Sequence, residues 1–246
     1  MTRIIYGINP VMEALAVGAE RIERILISQG RSDKAASGIL KAASRARIHC
    51  SRVNKDELNA LAEGGVHQGV VAVMRSEFSY VSLDALIKAW KASGERALFL
   101  VLDSIQDPHN LGSLVRAAAC AGAHGVIIPK DRACEVTATV GKTSAGAIEH
   151  VPIAREVNLK NAIGLLKEAG VWVAGVEAHG KQNIYKTDLN TDIALVIGNE
   201  GKGIRRLLLE NCDFTVSIPM AGAINSLNAA QAGTIALFEA MRQRRK

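Results

Sequence analysis

The chain has 246 residues, 48% of them hydrophobic, with 30 Lys and Arg against 24 Asp and Glu and an isoelectric point near 9.3. That is enough apolar material for one large domain or two small ones, which excludes a disordered or fibrous chain. The basic balance favours an anionic partner such as nucleic acid, while an aromatic content of 4% argues against a sheet that stacks many single-stranded bases.

In chain order, GINPVMEALAVG predicts a helix entered at Asn9-Pro10, ERILIS a strand, KAASGILKAASRA a helix and HQGVVAVM a strand. Residues 1–75 thus read as a small α/β domain. It holds 11 basic and 7 acidic side chains, most of the chain's excess charge, and is the expected RNA-binding segment. A polar stretch with one amphipathic helix follows, and the boundary is expected to be a linker over residues 76–96. From Ala97 onward, strands, polar loops and helices alternate in the manner of a parallel sheet covered by helices, predicting a second α/β domain over 97–246.

Three loops of this second domain carry the candidate chemistry: SIQDPHN after ALFLVLD, NEGKG after IALVIG, and AGAINSLN after FTVSIPM. Ligands of open α/β sheets sit at the carboxyl ends of strands, so the three are expected to converge on one pocket. The loop in LVIGNEGKGI is not a phosphate cradle. Its spacing fits neither the P-loop nor the dinucleotide fingerprint, and Glu200 would repel an anion. A neutral or cationic ligand fits it better. Asn110 reads by default as a helix N-cap, Arg116 as a surface residue among small apolar neighbours, and Ser226 and Asn228 as turn and cap residues.

Cys50, Cys120, Cys134 and Cys212 lie far apart with no metal-ligand spacing, so reduced thiols in a cytoplasmic protein are expected, with no metal site. The N-terminus MTRIIYGINP lacks a signal-peptide core. The longest uncharged run, Phe214 to Phe238, is interrupted by Pro219, Asn225, Asn228 and Gln231, so no membrane span is expected.

DSIQDPHNLGSLVRAAACAGAHGVIIP, LVIGNEGKGI and SIPMAGAINSLNAAQAGTIALFEA, in this order and spacing, resemble the three motifs of the SpoU (TrmH) family of RNA ribose 2′-O-methyltransferases. YGINPVMEAL and HQGVVAVM resemble the substrate-binding domain of some members, a small fold like that of ribosomal RNA-binding proteins. The resemblance implies a SPOUT-type α/β domain with a deep trefoil knot, a homodimer whose active site draws on both subunits, and S-adenosylmethionine as methyl donor. It implies that Gly198, Ile218, Met220 and Leu227 form the cofactor pocket, and that Asn110, Arg116, Glu200, Ser226 and Asn228 are the catalytic set. Over the full length, with PKDR near Pro129, it points to a guanosine ribose in the peptidyl-transferase region of bacterial 23S ribosomal RNA.

A guanidinium is always protonated in proteins, so Arg116 is assigned to the substrate phosphate and the developing alkoxide, and Glu200 to accepting the proton or orienting Arg116. The same chemistry on transfer RNA or another ribosomal nucleotide is an alternative. So is an idle RNA-binding assembly protein, against which all five catalytic-type side chains stand.

Overall fold

The computed structural model describes residues 3–222 and 226–245, so the middle of the AGAINSLN loop lies outside the described residues. The chain divides into two units, one running to Ser79 and including Val136–His150, the other comprising Tyr80–Glu135 and the chain from Val151.

The first unit contains β1 (Ile4–Tyr6), α1 (Ile8–Gly18), β2 (Ile22–Ser28), α2 (Lys34–Arg45), β3 (His49–Val53), α3 (Lys55–Leu61) and β4 (Val70–Met74). Its sheet runs β1-β4-β2-β3, with β4 antiparallel to both neighbours and β2 parallel to β3. Strand β4, VVAVM, is apolar throughout because both of its faces are covered. Val70, Ala72 and Met74 pack with Val11 and Ile39 of α1 and α2, while Val71 and Val73 pack with Leu58 of α3.

His67 precedes β4 and is buried. Its Nδ1 accepts from the Gly69 N–H at 3.0 Å, which leaves the proton on Nε2, 3.0 Å from the Asn59 Oδ1. Burial, with Lys55 and Lys142 nearby, holds its pKa below the ordinary 6.5.

The second unit contains α4 (Leu83–Ser93), β5 (Leu98–Leu102), α5 (Pro108–Ala121) and β6 (Gly125–Pro129). The segment that returns to the first unit carries α6 (Ala138–Thr143). Then follow β7 (Ile153–Glu156), α7 (Leu159–Glu168), β8 (Trp172–Val176), β9 (Gln182–Asn183), β10 (Ile193–Ile197), α8 (Arg206–Leu209), β11 (Phe214–Ser217) and α9 (Ala229–Arg244). The sheet is parallel throughout, in the order β7-β6-β5-β10-β8-β11-β9. Alternating strand residues face opposite layers. Phe99, Val101, Val173 and Val196 pack under α4, α7 and α8. On the other layer α9 packs beside α5 and over β10. Gly233 brings the two helices close, since a Cβ there would lie 2.3 Å from the Leu114 Cδ2.

The expected α/β class and the parallel sheet hold, but the boundaries differ in two places. Residues 76–96 are no simple linker: α4 and the Val81 to Ala154 bridge belong to the second unit, because Leu83, Leu86 and Trp90 form part of its core. Residues 136–150, expected in the second domain, fold with the first. There Glu149, its side chain 2% exposed, pairs with Arg3 and, at 3.5 Å, with Arg21.

Since the folded-state pKa of His67 is depressed, its stability contribution is present above pH 6.5 and is lost as pH falls from 6.5 toward the folded value. His67→Asn keeps an acceptor near the Gly69 amide and does not titrate. Thermal melts at pH 7.5 and 5.5 should therefore show a smaller acid-induced drop in the variant than in the parent, and an equal drop would remove His67 from the account.

Candidate active site

A cavity of about 300 Å³ opens at the carboxyl ends of β8, β10 and β11. Its apolar wall includes Val176, Ile197, Ile218, Met220 and Leu227, and its polar lining Glu177, Asn199, Glu200, Lys202 and Ser226. All four expected pocket residues, Gly198, Ile218, Met220 and Leu227, line it.

The wall that β10 contributes is built by a chain reversal. The Asn199 N–H donates to the Gly203 carbonyl at 3.1 Å and the Gly203 N–H to the Asn199 carbonyl at 2.8 Å, closing a tight loop around Glu200, Gly201 and Lys202. Gly203 sits at φ +64, in the left-handed region that glycine tolerates. Gly198 is required for a different reason. A Cβ there would lie 2.1 Å from the Gly203 carbonyl carbon and 2.2 Å from the Ile204 nitrogen, both backbone atoms that cannot yield.

Two carboxylates that were not singled out in the sequence hold this loop. Asp103, fully buried at the end of β5, accepts from the Arg205 N–H at 2.8 Å and from the Arg205 Nε at 2.7 Å. Such charge-assisted bonds satisfy a carboxylate that would otherwise be costly to bury. Glu177, at the end of β8, accepts from the Ile204 N–H at 2.7 Å. Asn199 adds a tie from its Nδ2 to the Ser104 carbonyl at 3.0 Å. The sequence signal for Asp103 was a lone charge closing an apolar run; for Glu177 there was none.

Three of the five candidate catalytic residues form one hydrogen-bond chain. Asn228 caps α9, its Oδ1 accepting from the Gln231 N–H at 2.8 Å, in a reciprocal capping box. With that oxygen committed, its Nδ2 faces Asn110 and donates to the Asn110 Oδ1 at 3.4 Å. The Asn110 Nδ2 then donates to the Glu200 Oε1. A backbone amide at one end and an acceptor-only carboxylate at the other dictate both amide orientations. The default cap reading of Asn110 does not hold: Asp107 caps α5, accepting from the His109 N–H at 3.0 Å, and Asn110 turns inward, buried.

Ser226 lines the cavity. Arg116 does not: it lies exposed on α5, with no ion pair among the described residues. No described residue of the β5 loop lines the cavity either; the loop meets the β10 loop through Asn110 and the Ser104 carbonyl. Among the described residues no cluster of three or more His, Cys, Asp or Glu is arranged to hold a metal, and no helix is long and apolar enough to cross a membrane.

The profile of the SpoU rRNA Methylase family matches residues 97–238, and that of the RNA 2′-O ribose methyltransferase substrate-binding domain matches residues 4–79. The chain belongs to the SpoU family. It is a methyltransferase by that membership. It is 40% identical over 240 residues to YacO of Bacillus subtilis, assigned to the TrmH family of tRNA/rRNA methyltransferases, covering 98% of this chain and 95% of that protein. It is 38% identical over 244 residues to the 23S rRNA (guanosine-2′-O-)-methyltransferase RlmB of Escherichia coli K12, covering 99% and 100%. The crystal structure of the SpoU methyltransferase AviRb from Streptomyces viridochromogenes with AdoMet superimposes with a TM-score of 0.81 at 30% identity, covering 99% of this chain and 90% of that one.

The geometry at Gly198 makes it the most size-restricted position of the loop. Gly198→Ala should cost about 1–3 kcal/mol in chemical denaturation, as overpacking does. Gly164→Ala, in α7 with nothing within 4 Å of its added Cβ, should instead be neutral or stabilise by up to about 1 kcal/mol. Equal effects would show that the close approach at Gly198 carries no constraint.

Proposed function

We propose that this family member transfers a methyl group from S-adenosylmethionine to the 2′-hydroxyl of a guanosine ribose in the peptidyl-transferase region of bacterial 23S ribosomal RNA, acting in the cytoplasm as a homodimer. The observation that carries the reading is Glu200, held at the wall of an apolar-sided cavity by the chain from the Gln231 amide through Asn228 and Asn110. Similarity to RlmB over nearly the whole of both chains supports the substrate.

The residues fit the cofactor. The apolar wall suits an adenine, the backbone at Gly198 lines the cavity without a side chain, and two carboxylates suit a group with a sulfonium charge. When bound, S-adenosylmethionine supplies a methyl carbon made electrophilic by its sulfonium. The chain's residues then have to position the ribose hydroxyl and remove its proton. Glu200 has one oxygen committed to Asn110, leaving the other to take that proton as the oxygen–carbon bond forms. Ser226 and Asn228 orient the ribose. Arg116 stabilises the developing alkoxide and the adjoining phosphate. Because Arg116 lies exposed and outside the cavity lining, it fits a role delivered across a dimer interface.

A deep trefoil knot belongs to this reading. It is supported by β10 lying between β5 and β8 while the later α9 packs over β10 and against α5. The first unit is assigned to RNA binding by its match to the substrate-binding domain and its basic excess. Transfer RNA is the second reading, favoured by the tRNA/rRNA assignment of YacO. Mapping 2′-O-methyl sites in ribosomal and transfer RNA from cells with and without this protein separates the two.

Arg116→Ala should lower single-turnover rates by about 10²-fold, the scale of losing one preorganised donor, with cofactor affinity nearly unchanged. Mixing Arg116→Ala with Glu200→Gln protein and allowing exchange should restore about a quarter of the parent activity if each site is completed by its partner. No restoration, with exchange verified, would return Arg116 to its own subunit.

Lys34, Lys41 and Arg45 lie exposed on one stripe of α2, a helix without a carboxylate. Replacing all three with Gln should flatten the salt dependence of RNA binding by about 2 in log–log slope while leaving cofactor affinity intact. An unchanged slope would move the phosphate contacts to another face.

A further inference from the structure

Glu177 is the second carboxylate of the cavity, and the three motif loops do not include it. It stands at the tip of β8, between β10 and β11 in the sheet, whereas Glu200 is drawn by Asn110 toward α5 and the β5 side of β10. The two carboxylates therefore approach the cavity from opposite sides of β10. The Glu177 side chain is also held in place. Its Oε1 accepts from the Ile204 N–H at 2.7 Å, and the glycine at 203 leaves room beside its Oε2, which would lie 2.9 Å from any Cβ there. The Oε2 has no hydrogen-bond partner among the described residues, although a carboxylate oxygen can accept two such bonds.

We infer that Glu177 is a cofactor-binding residue, whose free oxygen accepts hydrogen bonds from the ribose hydroxyls of S-adenosylmethionine. The inference rests on the function proposed above. If Glu200 marks the reacting end, the far side of the cavity receives the nucleoside end, and there the cofactor offers O–H donors. The sulfonium has none. A fixed carboxylate beside the apolar surfaces of Ile218 and Met220 suits a sugar adjoining a base: the base covers the apolar wall and the diol meets the carboxylate.

The test is calorimetric titration of the full chain with S-adenosylhomocysteine and with its 2′,3′-dideoxy counterpart. For the parent protein, removing the hydroxyls should weaken binding about 10- to 100-fold, the scale of hydrogen bonds to a charged group. In Glu177→Ala that penalty should shrink to about threefold or less. In Glu177→Gln, which keeps an oxygen for the Ile204 amide and so preserves the loop, it should be reduced by about tenfold relative to the parent. If both variants bind the two ligands with the same ratio as the parent, Glu177 serves only to hold the loop and the inference fails while the proposed function stands. If the parent binds S-adenosylhomocysteine without any penalty for lost hydroxyls, the inference fails alone. If the parent does not bind S-adenosylhomocysteine at all, both fall.

Discussion

The backbone of β10 turns back on itself so closely that Gly198 and Gly203 nearly touch, and the site depends on that contact. Only hydrogen fits between them. Because the loop cannot spread, the Ile204 and Arg205 amides are pinned where Glu177 and Asp103 can accept from them, at the tips of two other strands. The rigidity of one reversal is thereby shared with β5 and β8. Parallel sheets commonly place ligand loops at their carboxyl edge, where each loop is anchored at one end by a strand. Here the loop after β10 is anchored at several points by neighbouring strand tips, which lets a flexible-looking Gly-Asn-Glu-Gly-Lys-Gly run hold a carboxylate in place.

The catalytic candidates are organised by ordinary helix-end chemistry. Asn228 uses one side of its amide to satisfy an orphan N–H at the start of α9 and the other to reach Asn110. Cap and candidate site residue are one side chain. Asn110 in turn is buried because α9 packs directly against α5, with Gly233 allowing the approach. Small residues along LGSLVRAAACAGA thus have a packing role, bringing the starts of two helices close enough for their polar groups to meet.

Much of this was legible in the sequence, for identifiable reasons. Apolar strands followed by glycine and polar clusters announced the parallel sheet and the edge where its loops gather, and the four residues that the family resemblance implied for the pocket line the cavity. Helix α1 was legible, as were α2, α5 and α9, through their apolar periodicity. Strand β3 was not, since HCSRV is only partly buried and carries no clear alternation. Glu177 was hidden because its importance depends on β8 lying beside β10, a neighbourhood set by strand order and not by sequence distance. The default cap reading of Asn110 fails because Asp107, three residues earlier, already does that work. The excursion of residues 136–150 escaped notice because its buried partners, such as Arg3, lie far off in the chain.

That excursion bears on how the protein is made. A ribosome delivers the first unit's strands β1 to β4 early, and their apolar core is nearly complete by Ser79. Yet Arg3 waits for Glu149, 146 residues later, to neutralise a carboxylate that ends up almost fully enclosed. Domains of a nascent chain usually close in order from the N-terminus. Here the first to emerge cannot finish until β5 and β6 of the second have also been synthesised, so its completion waits on the early part of the second unit.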